Sequence, residues 1–142
     1  MGTLSEHSRQ LSHGLEHLTL QSNRNAALDF LKLVSTGHVK QAFSLYVGTT
    51  FKHHNPFFQS GALSLLNAMG DNAKQNPHKE FTVHHVIAEN NLVAVHGHVR
   101  LNPNDLGFAL VHVFRFSGGR IVEMWDLGQE VPSSSPNTDG MF

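Results

Sequence analysis

From Phe108 to Gln129 the chain reads FALVHVFRFSGGRIVEMWDLGQ, and its first half alternates without a break. Phe108, Leu110, His112, Phe114 and Phe116 fall on one face, and Ala109, Val111, Val113 and Arg115 on the other. A period of two, carried by β-branched and aromatic residues, predicts a half-buried strand. Gly118-Gly119 supplies the positive φ that a tight hairpin needs, so a second strand returns from Arg120. The alternation sets one imidazole, His112, in a row of large apolar side chains. The returning strand brings a carboxylate, Asp126.

Two registers are compatible with this hairpin. A two-residue loop at Gly118-Gly119 sets Phe116 opposite Ile121 and His112 opposite Trp125, which turns Asp126 to the other face. A longer loop or a single bulge moves the pairing by one and sets His112 opposite Asp126. That second register groups Val122, Met124 and Asp126 with the aromatic face and leaves Ile121, Glu123 and Trp125 outside. A slip of one residue exchanges the faces, so the two outcomes differ completely in chemistry.

Upstream the period is helical. Residues 1–22 are polar, with Leu11, Leu15 and Leu18 at helical spacing, and are expected to be either helical or disordered. Asn23 or Asn25 is a candidate cap for a helix with the apolar stripe Ala27, Phe30, Leu31 and Val34, ended by Gly37. A second short helix spans residues 38–47, and the pair forms a helical hairpin suited to covering a sheet. Residues 49–54 read as a short strand stopped at Asn55-Pro56. Residues 61–75 read as a third helix with Leu65, Leu66 and Met69 inward. Strands are predicted over 80–88 and 92–101, joined by a turn at Glu89-Asn90-Asn91. Residues 131–142, which include Pro132 and Pro136, form an extended tail. Residues 23–130 are thus one α+β domain: three N-terminal helices over a cone-shaped, curved antiparallel sheet with an internal pocket.

Composition narrows the functional classes. The chain has 142 residues, a formal net charge of -1 and 15% charged residues, which gives no electrostatic footprint for nucleic acid or an anionic membrane. The absence of cysteine excludes disulfides, thiolate metal sites and a cysteine nucleophile. No apolar run reaches membrane-span length and the first residues lack a signal-peptide plan, so a cytoplasmic protein is expected. The 12 histidines raise the question of metal. His96 and His98 project to one strand face, and His84-His85 lie on the strand before. No carboxylate joins them there and Arg100 shares their face, so no metal site is assigned.

The helical hairpin, His53-His54-Asn55-Pro56, the helix after Gly61 and the block FRFSGGRIVEMWDLGQEVP together resemble the SnoaL-like branch of the nuclear-transport-factor-two-like superfamily. The resemblance spans residues 23–142. In the polyketide cyclases of that branch an aspartate on the last strand is the general acid/base and a histidine on the preceding strand assists it. Asp126 and His112 match those positions, which favours the second register. The implied chemistry is a cofactor-independent aldol cyclisation or isomerisation of a small carbonyl compound. His54 is implied as a third catalytic group at the pocket mouth, and Asn55, Phe108, Phe114 and Met124 as residues contacting an apolar ligand. The pattern departs from its relatives at three points. Met124 stands where a histidine is common. Asn55 precedes Pro56 where ketosteroid isomerases carry their base. The Asp–Arg–Asp set of the epoxide hydrolases is not assembled by this sequence.

Each candidate also has a plainer role. Asp126 could bond backbone amides or an arginine, and His112 could be a core histidine bonded to a carbonyl or to Tyr46. The same fold also serves as a non-catalytic binding or dimerisation module. Val111, Val113, Ile121 and Trp125 make the outer sheet face too apolar to leave in water, so a homodimer is expected.

Overall fold

Along the chain the elements run α1 (Gly2–Ser35), α2 (Val39–Tyr46), β1 (Val47–His53), α3 (Ala62–Gln75), β2 (Glu80–Glu89), β3 (Leu92–Arg100), β4 (Phe108–Ser117) and β5 (Arg120–Glu130). The computed structural model describes residues 2–142, with side chains from residue 5 onward. The strands form one curved, open sheet in the order β1-β5-β4-β3-β2.

The β2–β5 meander is antiparallel throughout, as the short turns between its strands predict. β1 is not: it lies parallel to β5, so the sheet is mixed rather than antiparallel. The chain enters β1 directly from α2 and meets the free edge of β5, which needs a partner. Period-two alternation tells which side chains share a face, but carries nothing about a partner's direction.

β4 and β5 combine both predicted pairings. Gly118 and Gly119 have φ of 57° and 78°, and the tight turn they make pairs Ser117 with Arg120 and Phe116 with Ile121. Then Arg115 pairs with Glu123, which leaves Val122 out of the ladder as a bulge. Beyond the bulge Phe114 faces Met124 and His112 faces Asp126. Because the bulge follows Ile121, that residue stays on the core side and is wholly buried, contrary to its expected place outside.

The core lies between the concave face and the helices. Phe30 of α1 packs edge-on against Phe114 at 5.7 Å and, tilted, against Phe43 of α2 at 5.5 Å. Val93, Val95, Phe114, Ile121 and Met124 are buried beneath them, and each full burial of such a side chain contributes about 1.5–3 kcal/mol. The turn at Gly37 takes the left-handed conformation expected of a helix terminator, with φ of 87°. α1 starts far upstream of the predicted caps: it is continuous through Asn23, which is buried, while Leu11, Leu15 and Leu18 ahead of it stay exposed. The tail, residues 131–142, has no helix or strand, and its last ring, Phe142, stacks on His84 at 4.6 Å and His98 at 4.5 Å on the outer face.

Candidate active site

Strand alternation carries the concave face of β4 from the core to the open end of the sheet. Phe116 and Phe114 fill the core, and His112 and Leu110 come next, where the helices no longer cover the sheet completely. There a cavity of about 260 Å³ opens between α1, α3 and the sheet. Leu31 and Val34 line it from α1, Leu65, Ala68 and Met69 from α3, and Phe81, Val99 and Leu110 from the strands. Its polar lining is Ser35, Asn55, Asn72, Lys79, His112 and Asp126.

Asp126 and His112 are direct cross-strand partners on this wall. Asn55 donates its side-chain amide to Asp126 Oδ2 at 2.9 Å, while Asp126 Oδ1 is buried without a hydrogen-bond partner. Asn55 is held in turn by its own loop, where its Oδ1 accepts the backbone N–H of Phe57 at 3.0 Å. His112 is buried, and its Nδ1 also has no partner. Burial pushes its pKa down to about 4, against the upward pull of the Asp126 carboxylate. The ring is therefore neutral at neutral pH. Phe81 meets it edge-on at 6.1 Å, and Phe114 stacks on its other side at 6.1 Å. Tyr46 is not its partner: that hydroxyl donates to Asp29, and the bond holds the tyrosine above the usual phenol range.

His54 lies elsewhere. β1 alternates, so Phe51 and His53 turn inward and Lys52 and His54 outward. The His54 ring is exposed, contacts Glu123 Oε2 at 2.7 Å and stacks on Trp125 at 4.9 Å. Arg115 completes that outer cluster, with its Nε donating to Glu123 Oε1 at 3.1 Å and its guanidinium over the Trp125 ring. His54 and Arg115 together hold the Glu123 carboxyl below its usual range. The residue implied as a third catalytic group thus lies on the outer side of the sheet, bonded to Glu123 and away from the cavity. The inward histidine of the pair, His53, is held at Nε2 by the Gln59 carbonyl at 2.7 Å.

The expected ligand contacts also need revision. Asn55 lines the cavity, but Phe114 and Met124 are wholly buried in the core below it. Phe108 shares the face of His112 but lies past the cavity's edge, opposite Glu130, and is 42% exposed. Sequence reasoning passed over Asn72 and Lys79. The available signal for Lys79 was its spacing of two from Phe81 at the start of a strand, which puts both on one face. Burial holds the Lys79 ammonium below the usual lysine range.

The histidines of β2 and β3 gather on the outer face. His85 Nδ1 lies 3.0 Å from His96 Nδ1, and His98 Nε2 contacts the Leu106 carbonyl at 2.7 Å. Among the described residues no group of three or more histidine, aspartate or glutamate side chains is arranged to hold a metal ion. No helix among them is long and apolar enough to cross a membrane.

Helices over a curved open sheet, with a carboxylate and an imidazole facing a cavity at its open end, define a small-pocket α+β protein of the nuclear-transport-factor-two-like kind. The model of the SnoaL-like domain matches residues 27–124, and the chain belongs to that family. The match stops just short of Asp126. No curated protein matches the sequence. Among solved structures, it is similar to a putative hydroxylase from Streptomyces galilaeus at 16% identity, over 78% of this chain and 90% of that one, with a TM-score of 0.66. A putative polyketide cyclase from Bacillus cereus is 20% identical over 75% of this chain and 74% of its own, with a TM-score of 0.65. A putative ketosteroid isomerase from Kribbella flavida is 16% identical over 83% and 85%, with a TM-score of 0.64. At these identities the likeness is one of fold.

Proposed function

We propose that the protein is a cofactor-independent acid–base enzyme acting on a small carbonyl compound held in the 260 Å³ cavity. One observation carries the reading: an aspartate with one oxygen fixed by Asn55 and the other unpaired stands beside a neutral histidine on the wall of an apolar cavity. Asp126 takes a proton from a carbon next to a carbonyl. The carbanion adds to a second carbonyl carbon of the same molecule, and the proton returns to the oxygen of the new bond's acceptor. If the carbanion is instead reprotonated at another carbon, the product is an isomer. Neutral His112 serves as Asp126's partner and as a hydrogen-bonding group for a substrate oxygen. Similarity to the putative cyclase and the putative isomerase supports both outcomes.

The test is solvent deuterium exchange at the α-carbon of cyclic 1,3-diketones and 3-oxo esters, followed by proton NMR. Exchange above background in the wild type, lost in Asp126→Asn and reduced in His112→Ala, is the expected result. Undiminished exchange in both variants sinks the proposal.

A second reading is a binding module that holds an apolar molecule in the same cavity without turning it over. The Asn55–Asp126 hydrogen bond favours it, since that bond gives the carboxylate a structural use. It predicts ligand binding that survives Asp126→Asn with no exchange in any variant. In either case the apolar outer face, with Leu127 at 64% exposure beside Val111, Val113 and Trp125, is proposed to pair with a second copy of the chain.

A further inference from the structure

Lys79 gives the cavity a cation that the acid–base scheme does not use. It enters just ahead of β2, two residues before Phe81, so the ammonium stem and the Phe81 ring share the cavity wall. It is half-buried, and among the described residues it has no acidic partner in an ion pair. The adjacent carboxylate, Glu80, points to the opposite face and is taken by Arg100. Asp126 lines the same cavity but makes no ion pair with Lys79, and burial lowers the lysine's pKa. A half-desolvated ammonium with no counter-ion is unfavourable until an anion arrives.

We infer that Lys79 anchors the anionic group of the ligand, and that the cavity selects small apolar carboxylic acids. The inference rests on the cavity being the ligand site. The charges argue for a monoanion at most: among the described residues Lys79 is the one cation lining the cavity, Asp126 is its one carboxylate, and Ser35, Asn55 and Asn72 add only neutral groups. A phosphate ester, with close to two charges, calls for an arginine fork or several backbone N–H groups. The volume argues for a compact molecule, since 260 Å³ lies below the usual range of about 300–1,000 Å³ for ligand pockets. Phe81 sets the orientation. It stands two residues from Lys79 in the chain, lines the same cavity, and meets the His112 imidazole edge-on. A carboxylate on Lys79 therefore lays the apolar body across Phe81 and brings the far end of the molecule to His112 and Asp126.

The experiment is an amide ¹H–¹⁵N NMR titration with benzoate, cinnamate and 2-naphthoate, each run beside its uncharged primary amide. At neutral pH the acids should bind about tenfold more tightly than their amides, which corresponds to about 1.4 kcal/mol. Lys79→Met should equalise the two series, and Lys79→Arg should keep the preference. The preference should fade in alkali at a lower pH than an exposed lysine would allow, since the ammonium must be charged to act. Equal affinities in the wild type, no binding by any acid, or an undiminished preference in Lys79→Met would each overturn the inference. Asp126→Asn should retain the acid preference whether or not α-proton exchange is lost. Exchange that is absent from the wild type or undiminished in Asp126→Asn, beside a retained acid preference, therefore sinks the enzyme reading alone; exchange lost in Asp126→Asn beside no acid preference sinks this one alone.

Discussion

His112 faces Asp126 across β4 and β5 because Val122 is squeezed out of the ladder between Ile121 and Glu123. Were Val122 paired in the ladder instead, the Gly118-Gly119 turn would align His112 with Trp125. The cavity would then hold an indole, and the carboxylate would face outward. A bulge re-aims every side chain beyond it, which is the common use of bulges near functional sites.

Deleting Val122 should therefore leave His112 opposite Asp126, because Glu123 would follow Ile121 directly and still face Arg115. Val122→Ala keeps the bulge and should melt within a few degrees of the wild type. The deletion removes the bulge with the pairing beyond it unchanged, so Met124 and Asp126 keep their faces and unfolding should stay cooperative. Circular dichroism melts of the two variants check this.

The depressed pKa of His112 makes stability depend on acid. The unfolded chain binds a proton on this ring below about 6.5, whereas the folded protein resists it down to about 4. The unfolded state binds more protons in that window, so stability falls as pH drops from about 6.5 toward 4 and the loss levels off below. The full span is worth at most roughly 3 kcal/mol. Urea unfolding of wild type and His112→Leu at pH 7, 5 and 4 isolates the effect from the other histidines. The difference between the two proteins should shrink in acid, and a constant difference would contradict the burial of an unprotonated ring.

Asp126 and Asn55 should separate chemistry from support. Asp126→Asn leaves an amide in the same place and should fold normally while losing about 10²–10⁴ of any proton-transfer rate. Asn55→Ala removes bonds to both Asp126 and the Phe57 N–H, and should cost about 1–3 kcal/mol of stability along with part of the activity. Thermal melts run beside the deuterium-exchange assay distinguish the two patterns.

Gly97 is fixed by crowding rather than by backbone conformation. A Cβ there would stand 2.7 Å from the Phe81 ring and 2.9 Å from the Thr82 carbonyl oxygen of the neighbouring strand. The backbone oxygen has little room to retreat, so Gly97→Ala should destabilise the fold by about 1–3 kcal/mol. It should also push Phe81 into the cavity and weaken probe binding there, which the same NMR titration would record.

The outer sheet face should carry the self-association proposed for it. Light scattering after size-exclusion should give twice the 15.7 kDa chain mass. Val111→Glu, at the centre of that face and away from the cavity lining, should return a folded monomer. A monomeric wild type would end the dimer proposal.

Much of this protein follows from local pattern. The alternation from Phe108 to Phe116 established that His112 shares a face with Phe114, because neighbouring side chains on a strand must point oppositely. The stripe Ala27, Phe30, Leu31 and Val34 established which side of α1 is buried, and Gly37, Gly118 and Gly119 established where the chain turns. The tertiary structure decided what those faces meet. β1 pairs in parallel with β5, Val122 bulges, His54 joins Glu123 and Trp125 outside, and Lys79 comes to the same cavity as Asp126. None of these is periodic. Each depends on contacts between residues distant in the chain, whose geometry emerges only when the strands have chosen their partners and the helices have settled on the sheet. A one-residue choice of register is invisible to the alternation on either strand, yet it sets which pair of side chains faces the cavity.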